Sequence, residues 1–184
     1  EAPCTFGRTP NPAESPTTWL GRVRHWHCTV WNYHAYLTAT HPYGSPWWSW
    51  PFLKHPVLFH LDASVDPPRR ISATGNPVLW WAGFATVWLT LGSLVRLRRT
   101  PGAPNRFVDL WLVLGILGFW LPWAFIQRVA FHYHYFLSFT LTVVLLALWL
   151  ARFLERPSLR PAVCGFLLAA LVGFVYLYPS ATAT

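Results

Sequence analysis

Arginine, histidine and tyrosine gather in one short stretch, Arg128 followed by His132-Tyr133-His134-Tyr135. Arginine presents a fixed fork of donors, and neutral histidine and tyrosine add further N–H and O–H groups. A set of this kind suits a phosphate. It lies at the start of a long apolar run, so the phosphate it would hold belongs at a membrane boundary. The same residues also fit an aromatic belt with an arginine whose stem runs along apolar surface. Arg128, His132, His134 and Tyr135 are the candidate phosphate ligands.

A second stretch stands out, His41-Pro42-Tyr43-Gly44-Ser45-Pro46-Trp47-Trp48-Ser49-Trp50-Pro51, with three tryptophans, a tyrosine and three prolines in eleven residues. Proline removes backbone donors and fixes φ, so the stretch reads as a stiff, irregular aromatic loop. Tryptophan and tyrosine favour the membrane–water boundary. The loop is expected to lie on the bilayer surface and to cover a site that opens there.

Other chemistry is poorly supported. The acidic residues are Glu1, Glu14, Asp62, Asp66, Asp109 and Glu155. They form no convincing pair for acid–base work. His27, His34 and His41 would be roughly 10 Å apart along a helix at 1.5 Å per residue, too far to share one zinc. We therefore expect no metal and no cofactor. A histidine-based pH sensor rests on clustering alone. Cys4 and Cys28 are able to pair in an oxidising compartment, and Cys164 reads as an inert small hydrophobe.

These residues need elements to position them. Of 184 residues, 54% are hydrophobic and 11% charged, with 13 tryptophans and a net charge of +8. A soluble domain carries about 25% charged residues, so the composition points to a membrane. Four apolar runs, Pro77 to Val95, Val108 to Phe125, Tyr135 to Leu154 and Ala162 to Tyr178, approach the ~20 residues needed to cross a bilayer. Trp19 to Thr40 is compatible with an amphipathic helix in the interface plane, stopped by Pro42. Residues 61–76 read as a polar loop, with Asn76-Pro77 as a helix start. The expected fold is all-α: a polytopic membrane protein with four transmembrane helices, preceded by an outward-facing helix and aromatic loop. Residues 1–76 form the outward arm and loop, and residues 77–184 the membrane domain. Arg96, Arg98, Arg99 and Arg106 follow the first span, and Arg152, Arg156 and Arg160 the third. Both loops are therefore expected in the cytoplasm, with the N-terminal region and C-terminus outside. The net charge is absorbed by topology, so no nucleic acid is expected as a partner. The chain holds no methionine, so processing or further upstream residues are expected.

Several separate motifs occur in order. They are Tyr33-His34, Leu37-Thr38, His41-Pro42-Tyr43-Gly44-Ser45, Trp48-Ser49-Trp50-Pro51, Gly75-Asn76-Pro77-Val78-Leu79-Trp80-Trp81, Trp120-Leu121-Pro122-Trp123, and Arg128 with Phe131-His132-Tyr133-His134-Tyr135. Together they resemble the C-terminal part of protein O-mannosyltransferases, over about residues 25–178. The resemblance implies a glycosyltransferase that uses a polyprenyl-phosphate-linked sugar, with its catalytic acidic pair in an N-terminal half. No residue here is then catalytic, and the chain is expected to be inactive alone. Arg128, His132, His134 and Tyr135 would face the donor phosphate. His41, Tyr43, Trp47, Trp48, Trp50 and Asn76 would shape the sugar or acceptor side. The alternative is a non-catalytic transmembrane scaffold or accessory subunit. Expected partners are membrane lipid, a polyprenyl-phosphate sugar and other membrane protein chains.

Overall fold

The computed structural model describes residues 16–66, 68–97 and 106–182. It divides into two compact units. The first comprises Glu1–Pro42 with Phe125–Val129. Within it, α1 runs over Trp19–Tyr36. Thr18 caps it, its side chain accepting from the Gly21 N–H at 3.2 Å. The helix stops short of the expected Thr40. Leu37 is already extended, and β-branched Thr38 and Thr40 follow, which favour extended backbone. Cys28 is buried and disulfide-bonded, and the Asn32 side chain donates to its sulfur at 3.6 Å. Cys4, the partner considered from sequence, lies outside the described residues, as do Arg98 and Arg99. Cys164 is free and exposed.

The second unit comprises Tyr43–Ala124 with Ala130–Thr184. Residues 61–76 are not simply a polar loop. Leu58–Asp62 (β1) and Arg69–Ser72 (β2) pair antiparallel, with a register shift between Leu58 and His60. Four long helices follow: Pro77–Leu97 (α2), Arg106–Trp120 (α3), Phe136–Leu154 (α4) and Arg160–Thr182 (α5). All four are long and apolar enough to cross a membrane. The all-α polytopic expectation therefore holds, with one small hairpin added.

α4 packs against α2, α3 and α5. Small residues allow that approach. A Cβ on Gly83 would come within 2.6 Å of the Thr142 side chain, and one on Gly115 within 2.8 Å of Leu141. Val87, Val113, Ile116 and Leu145 fill the space between the helices. Without water in the bilayer, polar side chains must find partners inside the bundle. Ser138 donates to the Ile116 carbonyl across α3 and α4 at 3.1 Å. The Trp149 indole donates to the Thr90 hydroxyl at 2.8 Å, joining α4 to α2. Asn76 works at both ends of its amide. Its oxygen accepts from the Val78 N–H at 3.0 Å, and its nitrogen donates to the Ala170 carbonyl of α5 at 2.7 Å. A Cβ on Gly173 would sit 3.0 Å from that amide oxygen.

Asp109 is buried at the start of α3 and is paired with Arg152 of α4 at 2.7 Å. Arg152 also lies over the Trp149 ring, 5.9 Å from its centroid. Removing the carboxylate leaves a guanidinium that is only partly solvated. Asp109→Ala is expected to cost about 1–3 kcal/mol. Thermal unfolding of Asp109→Ala, Arg152→Ala and the double variant in detergent checks this. The double variant should lose clearly less than the sum of the singles.

Candidate functional site

The aromatic loop is not loose. Its middle, Trp47–Phe52, winds into a 3-10 turn with Pro51 inside. Three residues per turn let so short a segment tolerate proline. The Ser49 hydroxyl donates to the Pro46 carbonyl at 2.7 Å, and the Ser45 hydroxyl accepts from the Trp50 indole at 2.9 Å. The Ser45 N–H donates to the Ala130 carbonyl at 2.9 Å. The turn is then gripped from two spans. The Trp80 indole of α2 donates to the Trp50 carbonyl at 2.9 Å, and the Trp120 indole of α3 donates to the Trp47 carbonyl at 3.0 Å. The Trp50 carbonyl also accepts from the Leu53 N–H at 3.1 Å, so both its lone pairs are used. Leu53 leaves the turn at φ 54°, in the left-handed region.

Trp50 is fully buried, in one cluster with Trp80, Trp120 and Tyr135. Trp47 is half-buried and edge-on to Trp120, with ring centroids 5.6 Å apart. Trp48 stays exposed, with the Lys54 ammonium 5.3 Å from its ring centroid. Tyr43 is half-buried in the same unit. His41 is exposed and belongs to the first unit. Asn76 is engaged as the cap of α2 and the tie to α5.

The other candidate ligands form a 3-10 turn, His132–Tyr135, at the head of α4. The His134 Nδ1 accepts from the Phe131 N–H at 3.0 Å. Its ring lies between Trp123, at 4.2 Å, and Tyr133, at 4.7 Å. Tyr135 packs between Trp80 and Trp120, 5.7 Å from each. His132 is stacked on Trp80 at 4.9 Å and meets Phe136 edge-on at 5.5 Å. It is completely buried, and neither ring nitrogen has a hydrogen-bond partner among the described residues. Arg128 belongs to the first unit, where its charge acts on His34. Burial first, and then Arg128, hold His34 below the ordinary imidazole value.

Sequence reasoning missed the two residues that organise this site, Trp80 and Trp120. The signal was present, because each sits at the loop-side end of its apolar run. Nothing in the chain said which carbonyls they would meet. Among the described residues, no three His, Cys, Asp or Glu side chains gather to hold a metal ion. Asp62 is half-buried at the end of β1, and hydrogen bonds from the Ser64 hydroxyl and N–H hold its carboxyl below the usual range. That makes it a weak general base.

Residues 20–184 match a family model described as the C-terminal four TMM region of protein-O-mannosyltransferase. Two similar curated proteins are polyprenol-phosphate-mannose–protein mannosyltransferases. The one from Mycolicibacterium smegmatis is 25% identical over 180 residues, covering 85% of this chain and 33% of the relative. The one from Mycobacterium tuberculosis is 27% identical over 179 residues, with the same coverage of 85% and 33%. The chain thus spans about a third of the length of the curated relatives it matches. Among solved structures, the Saccharomyces cerevisiae protein O-mannosyltransferase Pmt1-Pmt2 complex bound to the sugar donor shares the fold. Its TM-score is 0.76 at 22% identity, covering 92% of this chain and 25% of that one.

The grip on the loop is testable without reference to activity. Trp80→Phe and Trp120→Phe each keep a ring but withdraw an indole donor from a loop carbonyl and leave unfilled volume. Each is expected to cost about 1–3 kcal/mol. Thermal unfolding in detergent, with limited proteolysis of the loop, checks this. Wild-type stability in both variants would remove the clamp from the account.

Proposed function

We propose, for a chain that belongs to the protein O-mannosyltransferase family as its C-terminal four-span membrane region, the role of donor-binding region in a lipid-linked-sugar-dependent glycosyltransferase. The relatives' names carry polyprenol-phosphate-mannose, and the same class of donor, a polyprenyl-phosphate sugar, is taken for this chain. The carrying observation is His132. Buried polar groups are almost always paired. A buried imidazole with neither nitrogen matched among the described residues can donate to, or accept from, a group brought by a ligand. A phosphate oxygen entering at the head of α4 would accept from it. His134 and Tyr135 sit on the same turn and are assigned to the same donor site. Trp48, the exposed tryptophan of the clamped turn, is assigned to the sugar or acceptor side. Arg128, which belongs to the other unit, carries no part of this reading. Asp109 is committed to Arg152 and Asp62 is a poor base; following the family resemblance, the acid–base step is assigned to residues outside this region.

In this reading the hairpin, the clamped turn and the head of α4 face outward. The ends marked by Arg106, Arg152, Arg156 and Arg160 face the cytoplasm. The support is the positive-inside bias of those arginines. A cysteine introduced at Ser158, with Cys164 replaced by Ser, should react with a membrane-impermeant maleimide only when the cytoplasmic face is exposed. Labelling from the opposite face would invert the topology.

His132→Phe separates ligand from packing. It keeps a ring and removes both unmatched nitrogens. Folded stability is expected to hold or rise, because an unpaired buried polar group is gone. Affinity for a polyprenyl-phosphate sugar, measured on the intact enzyme, should fall by about 1.5–3 kcal/mol if a hydrogen bond to a charged group is lost. Unchanged donor affinity would make His132 a packing residue and end this assignment.

A further inference from the structure

The helix α1 turns its apolar side away from the rest of its unit. Its buried residues are Gly21, Cys28 and Asn32. With 3.6 residues per turn, these three fall within a sector of roughly 40°. The opposite sector holds Trp19, Trp26, Val30 and Tyr33, within roughly 60° of one another. These four are 77%, 66%, 51% and 54% exposed. The exposed arc widens through Leu20 and Trp31, at 70% and 60%. Arg22 bounds the arc on one side and Arg24 on the other. Two histidines lie within it, His27 and His34, both exposed; His34 is held below the ordinary imidazole value by burial and then by Arg128, which favours its neutral form. No acidic residue occurs anywhere in the helix.

We propose that this face of α1 lies in the headgroup layer of a lipid bilayer, with Trp19, Trp26, Val30 and Tyr33 directed toward the acyl boundary. Three features select lipid as the occupant. The large side chains are mostly tryptophan and tyrosine, whose rings are apolar and whose tips hydrogen-bond, the combination that the membrane interface favours. The cations stand at the borders of the apolar arc, where a helix lying in the interface meets lipid phosphates. The absence of any carboxylate in α1 removes repulsion from those phosphates. The inference concerns the first unit and is independent of the donor site assigned to His132.

Site-directed spin labelling of the intact protein tests it. Cys164 is replaced by Ser, and nitroxides are placed one at a time through Trp26→Cys, Tyr33→Cys and Ala35→Cys. Ala35 is exposed and lies outside the aromatic sector. The protein is reconstituted in vesicles of phosphatidylcholine with phosphatidylglycerol. Collision rates are read with oxygen, which partitions into lipid, and with a water-soluble nickel chelate. At positions 26 and 33 oxygen collisions should exceed nickel collisions severalfold, and at position 35 the order should reverse. Equal nickel access at all three positions would put the helix in water and overturn the proposal. Low access to both reagents at 26 and 33 would mean that a protein surface covers them, and would overturn it equally. Two independent labels on the same face keep the test decisive if one variant fails to fold.

Discussion

A peptide carbonyl in a place that water does not reach must find a donor inside the protein. The proline-rich turn at Trp47–Phe52 cannot supply enough donors itself, because Pro46 and Pro51 have no N–H. Trp80 and Trp120 supply them from two different spans. This constraint sets most of what surrounds it. It seats Trp50 in the cluster with Trp80, Trp120 and Tyr135. It brings the Trp50 ring parallel to His134, 6.0 Å away. It also leaves Trp48 as the exposed tryptophan of the turn. The stiffness expected of this segment is there, and the two indole donors turn it into a plug on the heads of the helices.

The spans obey the same rule more quietly. Thr86, Thr90 and Thr142 each donate to a carbonyl one turn back in their own helix. Trp149 and Ser138 tie neighbouring helices together, and Asp109 meets Arg152 near the opposite end from the plug. Against that pattern His132 is the departure. Among the described residues, neither of its ring nitrogens has a hydrogen-bond partner. A group left unmatched where its surroundings are matched calls for an explanation, and a ligand is the one proposed. The donor-binding proposal rests on that contrast.

Part of this was legible from sequence. The four apolar runs became four membrane-length helices, and Asn76-Pro77 did cap α2. The ordered aromatic and histidine motifs pointed to the family that residues 20–184 match. The hairpin was missed because Leu58-Phe59-His60-Leu61-Asp62 does not alternate cleanly and is flanked by prolines. Its pairing with Arg69–Ser72 depends on closing a short loop, not on a local pattern. The second task of Asn76 was invisible for a similar reason. The carbonyl that its amide nitrogen reaches belongs to Ala170, 94 residues away.

Hydropathy and length are local properties, so the sequence alone determined the number of spans, their approximate limits and the stiffness of the proline-rich turn. Which donor meets which acceptor is not local. Trp80 and the carbonyl of Trp50 are 30 residues apart, and Trp120 and that of Trp47 are 73 apart. Both pairs exist only once α2 and α3 have packed with particular faces toward the turn. Composition put apolar helices in a membrane, because burial of apolar surface is non-directional. The tertiary structure decided where the plug sits and which histidine has no partner among the described residues, because hydrogen bonds are directional and are satisfied only at contact distance.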